Sequence, residues 1–155
     1  MTTTNTTITT NIISLRDIIF TNTLCSQLIE LYNNFGENDQ LNYENCKTIL
    51  KNILTNNNHN IFLYCDSSNN ILGTLTLLIE QKFIHNGKCA AHIEDFVVKQ
   101  EFRGQNIGKD LIIHATNYAK DHNCYKIILD TNSKLEKYYA SYGFINKGIT
   151  MGLYF

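Results

Sequence analysis

The chain contains no proline and no tryptophan, has only two arginines (Arg16 and Arg103), and carries no Cys-x-x-Cys pair. With so few arginines, a phosphate site has to rest on backbone amides, lysines and Arg103 rather than on an arginine cluster. A formal net charge of −1 supplies no electrostatic footprint for DNA or RNA, so no nucleic-acid partner is expected. The five cysteines (Cys25, Cys46, Cys65, Cys89, Cys124) are odd in number and widely spaced, which reads as reduced, mostly buried thiols. No metal is expected. The opening MTTTNTTITT lacks a basic leader and an apolar core, and no later apolar run reaches the ~18 residues of a membrane span. Cytoplasmic location without membrane association is the expectation. The missing proline and tryptophan, set beside abundant asparagine, record the base composition of a genome more than a function.

What is present describes a globular domain. A chain of 155 residues with 43% hydrophobic and 17% charged residues buries roughly 68–70% of its unfolded surface without a disulfide or metal staple. Residues 1–10 read as a flexible Thr/Asn tail and residues 11–155 as one domain. Ile12, Ile13 and Leu15 lead to Arg16-Asp17 as a short first strand. Leu24, Leu28, Ile29, Leu31 and Tyr32 recur near helical spacing, with Gly36 as the stop. Tyr43, Cys46, Ile49, Leu50, Ile53 and Leu54 form a second amphipathic helix that dissolves into Asn56–Asn58.

From His59 the period becomes extended. NIFLYCD, a DSSNN turn, ILGTLTLLIEQKFIH, an Asn86-Gly87 turn and KCAAHIEDFVVKQ read as a meander of three antiparallel strands. A helix on Ile107, Leu111, Ile112, Ala115, Tyr118 and Ala119 follows, then the strand YKIILD, a helix carrying Leu135, Tyr138 and Tyr139, and a closing strand pair around GFIN and ITMGLYF. The order is mixed α/β.

Two features stand out in His92–Asp110. Glu94 and Asp95 sit among strand formers, where carboxylates are costly unless paired or used. Arg103, Gly104, Asn106, Gly108 and Lys109 then make a turn able to present N–H groups to an anion at a helix start. It is not a P-loop, because three residues separate the glycines and Asp110 follows the lysine; it is not a dinucleotide fingerprint either, because no G-x-G-x-x-G is present.

At this point the chain resembles the GNAT superfamily of acetyl-CoA-dependent N-acetyltransferases. Arg103 and Gly108 match its Arg/Gln-x-x-Gly-x-Gly/Ala motif in identity and spacing. Asn106 stands where the first glycine belongs, and asparagine is next best at tolerating a left-handed backbone. HIEDFVV, CYKIILD and KYYASYGF, in that order, are similar to the glucosamine 6-phosphate N-acetyltransferase branch, and KFIH looks like its counterpart there. The resemblance covers residues from about 60 onward well and the first 60 poorly.

It implies an α/β (α+β) GNAT fold, with a mixed, mostly antiparallel central sheet flanked by helices. It also implies acetyl transfer from acetyl-CoA to an amino sugar phosphate. Coenzyme would be held by Gln105, Asn106, Ile107, Gly108 and Lys109 with Arg103 and Gly104. The acetyl group would lie along Glu94, Asp95, Phe96, Val97 and Val98, with Phe96–Val98 offering backbone N–H. Glu94 or Asp130, directly or through water, would take the amine proton, and Tyr139 would donate to the departing sulfur. Asp95 has an equally good structural reading, and one of Tyr138 and Tyr139 belongs to the core.

The sugar phosphate would meet Lys82, Phe83, Ile84, His85, Lys126, Asp130 and the Asn123-Cys124 backbone. The branch has an arginine near its C-terminus for this phosphate, and Tyr154 stands there instead, supplying no charge. The branch also implies a homodimer with a shared active site; ITMGLYF suits such an interface and equally a buried strand. Two other readings fit the residues: a GNAT enzyme acting on another small amine or a peptide N-terminus, and a non-catalytic acyl-CoA-binding module.

Overall fold

The computed structural model describes residues 12–35 and 40–153. The proposed tail at residues 1–10, the helix stop at Gly36 and the substitution at Tyr154 lie outside these. Five strands form one sheet in sequence order: β1 (Ile12–Ser14), β2 (His59–Cys65), β3 (Ile71–Gln81), β4 (Cys89–Val98) and β5 (Cys124–Leu129). The first three pairings are antiparallel, and β4 with β5 is parallel. A parallel pair needs a crossover, and helix α3 (Ile107–Asp121) supplies it.

The strand sides divide the core in two. Phe62, Leu75, Leu77, Ile79, Ala91 and Ile93 pack against Ile107, Leu111, Ile112, Ala115 and Ala119 of α3. Those helix positions recur on one stripe, the pattern of an amphipathic helix lying on a sheet. On the opposite face Ile61, Leu63 and Cys65 meet helices α1 (Asn22–Asn33) and α2 (Tyr43–Thr55) through Leu24, Cys25, Leu28, Leu31, Cys46 and Leu50. Thr21 and Asn42 cap these helices, their side-chain oxygens accepting from the N–H groups of Leu24 and Asn45. All five cysteines are free thiols, and Cys25, Cys46 and Cys65 are buried. Among the described residues no helix is long and apolar enough to cross a membrane.

Arg16 is consumed structurally. Its guanidinium donates to the carbonyls of Ile53 (3.3 Å), Leu54 (3.0 Å), Asn56 and His59 (3.0 Å), closing the C-terminus of α2 where orphan carbonyls and the helix dipole favour a cation. Only Arg103 remains for other work.

Two segments differ from the sequence reading. Lys82–His85 does not extend the strand: β3 ends at Gln81, which pairs with Cys89, so the connection spans residues 82–88 rather than the Asn-Gly pair alone. His85, Asn86 and Gly87 are consecutively left-handed (φ 54, 58 and 73). The Asn-Gly signal locates such a turn but not its length. The closing strand pair is also absent among the described residues. Phe144–Leu153 takes no regular structure, and Ile145, Ile149, Met151 and Leu153 are 72–93% exposed, because no strand of the described chain lies beside them.

Burial holds the His59 and His114 imidazoles below their usual value of 6.5. The unfolded chain therefore takes up protons before the folded one does, and stability rises with pH. Chemical denaturation at pH 7 and pH 5 should show a lower midpoint at pH 5, and His114→Phe should reduce that difference.

Candidate active site

The site begins with an irregularity in β4. Thr74 pairs with Val97 and Thr76 with Glu94, so Leu75 alone faces both Asp95 and Phe96. This is a β-bulge, and Asp95 adopts φ 44 to make it. The pairing with β5 stops at Ile93 opposite Leu129. Beyond Ile93 the two strands separate, and the far edge of β4 has no partner strand.

The backbone directions follow from the bonds that remain. The N–H of Lys99 donates to the carbonyl of Leu72 (2.9 Å), and Val97 O crowds Gly73, where a Cβ would sit 3.0 Å from it. Residues 97 and 99 thus face β3. Alternation along the strand turns the N–H groups of Phe96 and Val98 toward the open edge. There the carbonyl of Val98 accepts from Arg103 Nε (3.1 Å), so Arg103 ties the loop to the strand it follows.

The loop itself is a cradle. Gly104 (φ 80) and Asn106 (φ 65) are both left-handed, the conformation that asparagine was expected to tolerate. The first bond of α3 runs from Asp110 N–H to Asn106 O (2.9 Å). The N–H groups of Ile107, Gly108 and Lys109 are left without helical acceptors at the positive end of a 15-residue helix. Gly108 is sterically required: a Cβ there would lie 2.6 Å from the Tyr138 hydroxyl and 3.2 Å from Phe96 Cζ. The loop, the open edge and a tyrosine therefore converge.

On the face away from α3, His92, Glu94 and Asp130 gather, their polar side-chain atoms all within 4.8 Å of one another. Thr150 donates to Asp130 Oδ1 (2.9 Å), which brings the C-terminal segment over the cluster. Lys82, His85 and Lys126 collect at the other end of the same strands. The His85 ring lies 4.0 Å from that of Tyr125, Lys126 Nζ stands 5.5 Å over the same ring, and Lys82 is paired with Glu80. From Lys126 to Asp130 is about 13 Å of extended chain, a distance that the long lysine side chains partly span. Asn123 and Cys124 open β5 beside the cations, whereas Phe83 and Ile84 project outward, largely exposed.

A cavity of about 870 Å³ separates β5 from the C-terminal segment, lined among others by Asp130, Tyr139, Phe144 and Thr150. Tyr139 is 9% exposed, its ring edge-on to Phe144, and burial pushes its phenol up. Tyr138 is also pushed well up, chiefly by burial. Both remain protonated donors at neutral pH.

The model of the acetyltransferase (GNAT) family matches residues 24–144. The chain belongs to this family. A probable glucosamine 6-phosphate N-acetyltransferase 2 from Oryza sativa subsp. japonica is 41% identical over 85 residues, covering 55% of this chain and 51% of that protein. The corresponding protein from Arabidopsis thaliana is 39% identical over 90 residues, 58% and 60% of the two chains. The matches thus span about half the length of these curated relatives. The crystal structure of glucosamine-6-phosphate N-acetyltransferase from Arabidopsis thaliana superimposes with a TM-score of 0.77 at 31% identity, covering 84% of this chain and 93% of that one. The fold is a GNAT fold, as the sequence implied.

Within this GNAT chain the expected site residues fall into separate places. Phe96, Val98 and Arg103–Lys109 meet around the open edge, whereas Val97 is buried and faces β3. Asp95 does not join them: the bulge turns it to the α1/α2 side, where it lines a cavity of about 550 Å³ with Tyr32, His59 and Thr76. His92, Tyr138 and Thr150 were not foreseen. His92 was legible, since it lies two residues before Glu94 and so shares its side of the strand; Tyr138 and Thr150 join through long-range packing, which spacing does not reveal.

Gly108→Ala should lower stability by about 1–3 kcal/mol through overpacking, more than the helix propensity gained. In a Tyr138→Phe background the loss should be smaller, because the atom nearest the new methyl is gone; equal losses in thermal denaturation of the two backgrounds would refute the contact.

Proposed function

We propose that this chain transfers the acetyl group of acetyl-CoA to the amine of D-glucosamine 6-phosphate, giving N-acetyl-D-glucosamine 6-phosphate and CoA, a step toward UDP-N-acetylglucosamine. One observation carries the proposal: the open edge of β4 lies between an anion cradle and a carboxylate cluster, so a thioester held along it meets an amine. The similarity to proteins bearing this activity, in sequence and in solved structure, supports the sugar phosphate as acceptor.

Acetyl-CoA fits the cradle in chemistry, since the free amides of Ile107, Gly108 and Lys109, with Arg103 beside them, suit a pyrophosphate. It supplies the activated acetyl carbon. The N–H groups of Phe96 and Val98 receive the carbonyl oxygen as charge builds on it; a donor of this kind is worth on the order of 10²–10³ in rate. Glu94 and Asp130 orient the sugar ammonium and accept its proton, because only the neutral amine attacks. Tyr139, in the cavity that Asp130 also lines, donates to the leaving sulfur. Lys82, His85 and Lys126 attract the phosphate, helped by the Asn123-Cys124 backbone.

The active form in this reading is a two-fold homodimer in the cytoplasm. Ile145, Ile149, Met151 and Leu153 are strand formers left in solvent, and an isologous partner would cover them. Light scattering at micromolar concentration should give the mass of a dimer.

Incubation with acetyl-CoA and a panel of amines, read by mass spectrometry, should acetylate glucosamine 6-phosphate far ahead of glucosamine. Equal use of the two sugars would sink the phosphate assignment, and acetylation of a different amine alone would leave only the superfamily chemistry. Calorimetric titration should show weaker acetyl-CoA binding for Arg103→Ala with the thermal midpoint nearly unchanged. Tyr139→Phe should lower kcat, which a non-catalytic coenzyme-binding module would not register.

A further inference from the structure

Glu94 does not stand alone on its strand. His92 shares its face, with Nε2 3.2 Å from Glu94 Oε1. That nitrogen is closed to solvent and makes no aligned hydrogen bond, an arrangement that costs free energy unless a partner completes it. Among the described residues Glu94 is the only carboxylate at this distance. Its side chain is 44% exposed against 22% for His92, so the carboxylate faces the acceptor side while the imidazole lies beneath it.

The other charged groups around the ring are Asp130 at the end of β5, Lys126 on β5, and the Glu80–Lys82 pair at the end of β3. Glu80 is held below the usual carboxylate range mainly by Lys82, with smaller contributions from His92 and Lys126. Three carboxylates thus surround one imidazole. A carboxylate offering two oxygens to an ammonium in such a field has more than one rotamer available; a fixed donor under one oxygen selects between them.

We infer that His92 is a positioning residue for the transfer proposed above: its Nε2–H engages Glu94 Oε1 and so presents Oε2 to the acceptor ammonium. This inference rests on the acetyl-transfer reading. An ammonium proton passes to Glu94, which becomes a carboxylic acid, and the freed lone pair forms the C–N bond; as the C–S bond breaks, Tyr139 gives its proton to the leaving sulfur, and the second proton lost from nitrogen restores the phenol, directly or through water. Glu94 then returns the proton to water. His92 changes neither charge nor bonding in this sequence; it sets the geometry in which the first step occurs.

The test compares His92→Leu, which removes the donor, with His92→Gln, whose side-chain amide restores an N–H at similar reach. Steady-state kinetics with glucosamine 6-phosphate should show kcat reduced about 10- to 100-fold in H92L, the loss of one hydrogen bond to a charged group. KM for the sugar and calorimetric acetyl-CoA affinity should stay near wild-type values, and H92Q should recover most of kcat. An H92L enzyme as fast as wild type, an H92Q enzyme as slow as H92L, or a loss confined to KM each overturns the inference while the acetyl-transfer reading stands. Wild-type protein that binds acetyl-CoA and acetylates no amine of the panel overturns that reading, and the role of His92 with it.

Discussion

The separation of β4 from β5 after Ile93 is the constraint on which the rest of the molecule depends. A parallel pair that stays in register has no room for a ligand and no free backbone donors. Here one extra residue at Asp95–Phe96 shifts the register against β3, the kind of irregularity that bends a strand and raises its twist. The cost is a left-handed aspartate and an edge stripped of ladder bonds. Both costs are met locally. Arg103 takes the carbonyl of Val98, and the remaining N–H groups face a cleft where an acyl oxygen is the natural acceptor. The bulge also brings both carboxylates to the side of the sheet away from α3: Glu94 stands beside His92 and Asp130, and Asp95 lines the cavity under α1 and α2. Neighbours in sequence thereby share one side of the sheet with different partners.

The scarcity of arginine shapes the binding half of the site. With Arg16 closing the end of α2 through four carbonyls, a phosphate must be met by amides and by Arg103. Amides at a helix start do this well, because they point one way, carry no side-chain entropy and add the helix dipole. They need the backbone to come close, which is why Gly104 and Asn106 are left-handed and why Gly108 touches Tyr138 and Phe96. The lysines around Tyr125 are a different device, point charges on flexible stems gathered on an aromatic ring. In the proposed reaction the first would hold a ligand in one pose, and the second would attract an anion with less geometric demand.

Much of this was legible in the sequence, for reasons that also explain what was not. The helix stripes at Leu24–Leu31, Cys46–Leu50 and Ile107–Ala119 and the extended runs of β2, β3 and β4 are local patterns, and burial followed them. The loop at Arg103–Gly108 was legible because its chemistry is backbone chemistry set by a few residue types. The turn at Lys82–Lys88 is longer than the Asn-Gly pair indicates, with three left-handed residues in succession between Gln81 and its partner Cys89. The closing strands are not seen among the described residues because strand pairing needs a neighbour that periodicity cannot supply, and residues 149–153 keep the composition of a strand without one. His85 sits in a recognisable motif and His92 does not, yet side-chain alternation alone places His92 with Glu94.

The thiols bear on how an acyl group moves through such a site. Five cysteines invite a route in which the acetyl group rests on sulfur before reaching the amine. A thiol takes that role only as thiolate, and burial works against ionisation here: Cys46 is pushed up to about 12, and Cys65 and Cys124 are raised as well. Cys25, Cys46 and Cys65 lie in the core between α1, α2 and the sheet, on the side of β4 opposite the helix start that forms the cradle. Cys89 and Cys124 open their strands at the cation end, away from the bulge. None stands at the open edge where Phe96 and Val98 present their amides. For the proposed transfer this geometry favours direct attack of the amine on the thioester, with two ligands on one edge at once, so the placement of Glu94 would matter more than the reactivity of any nucleophile the chain itself carries.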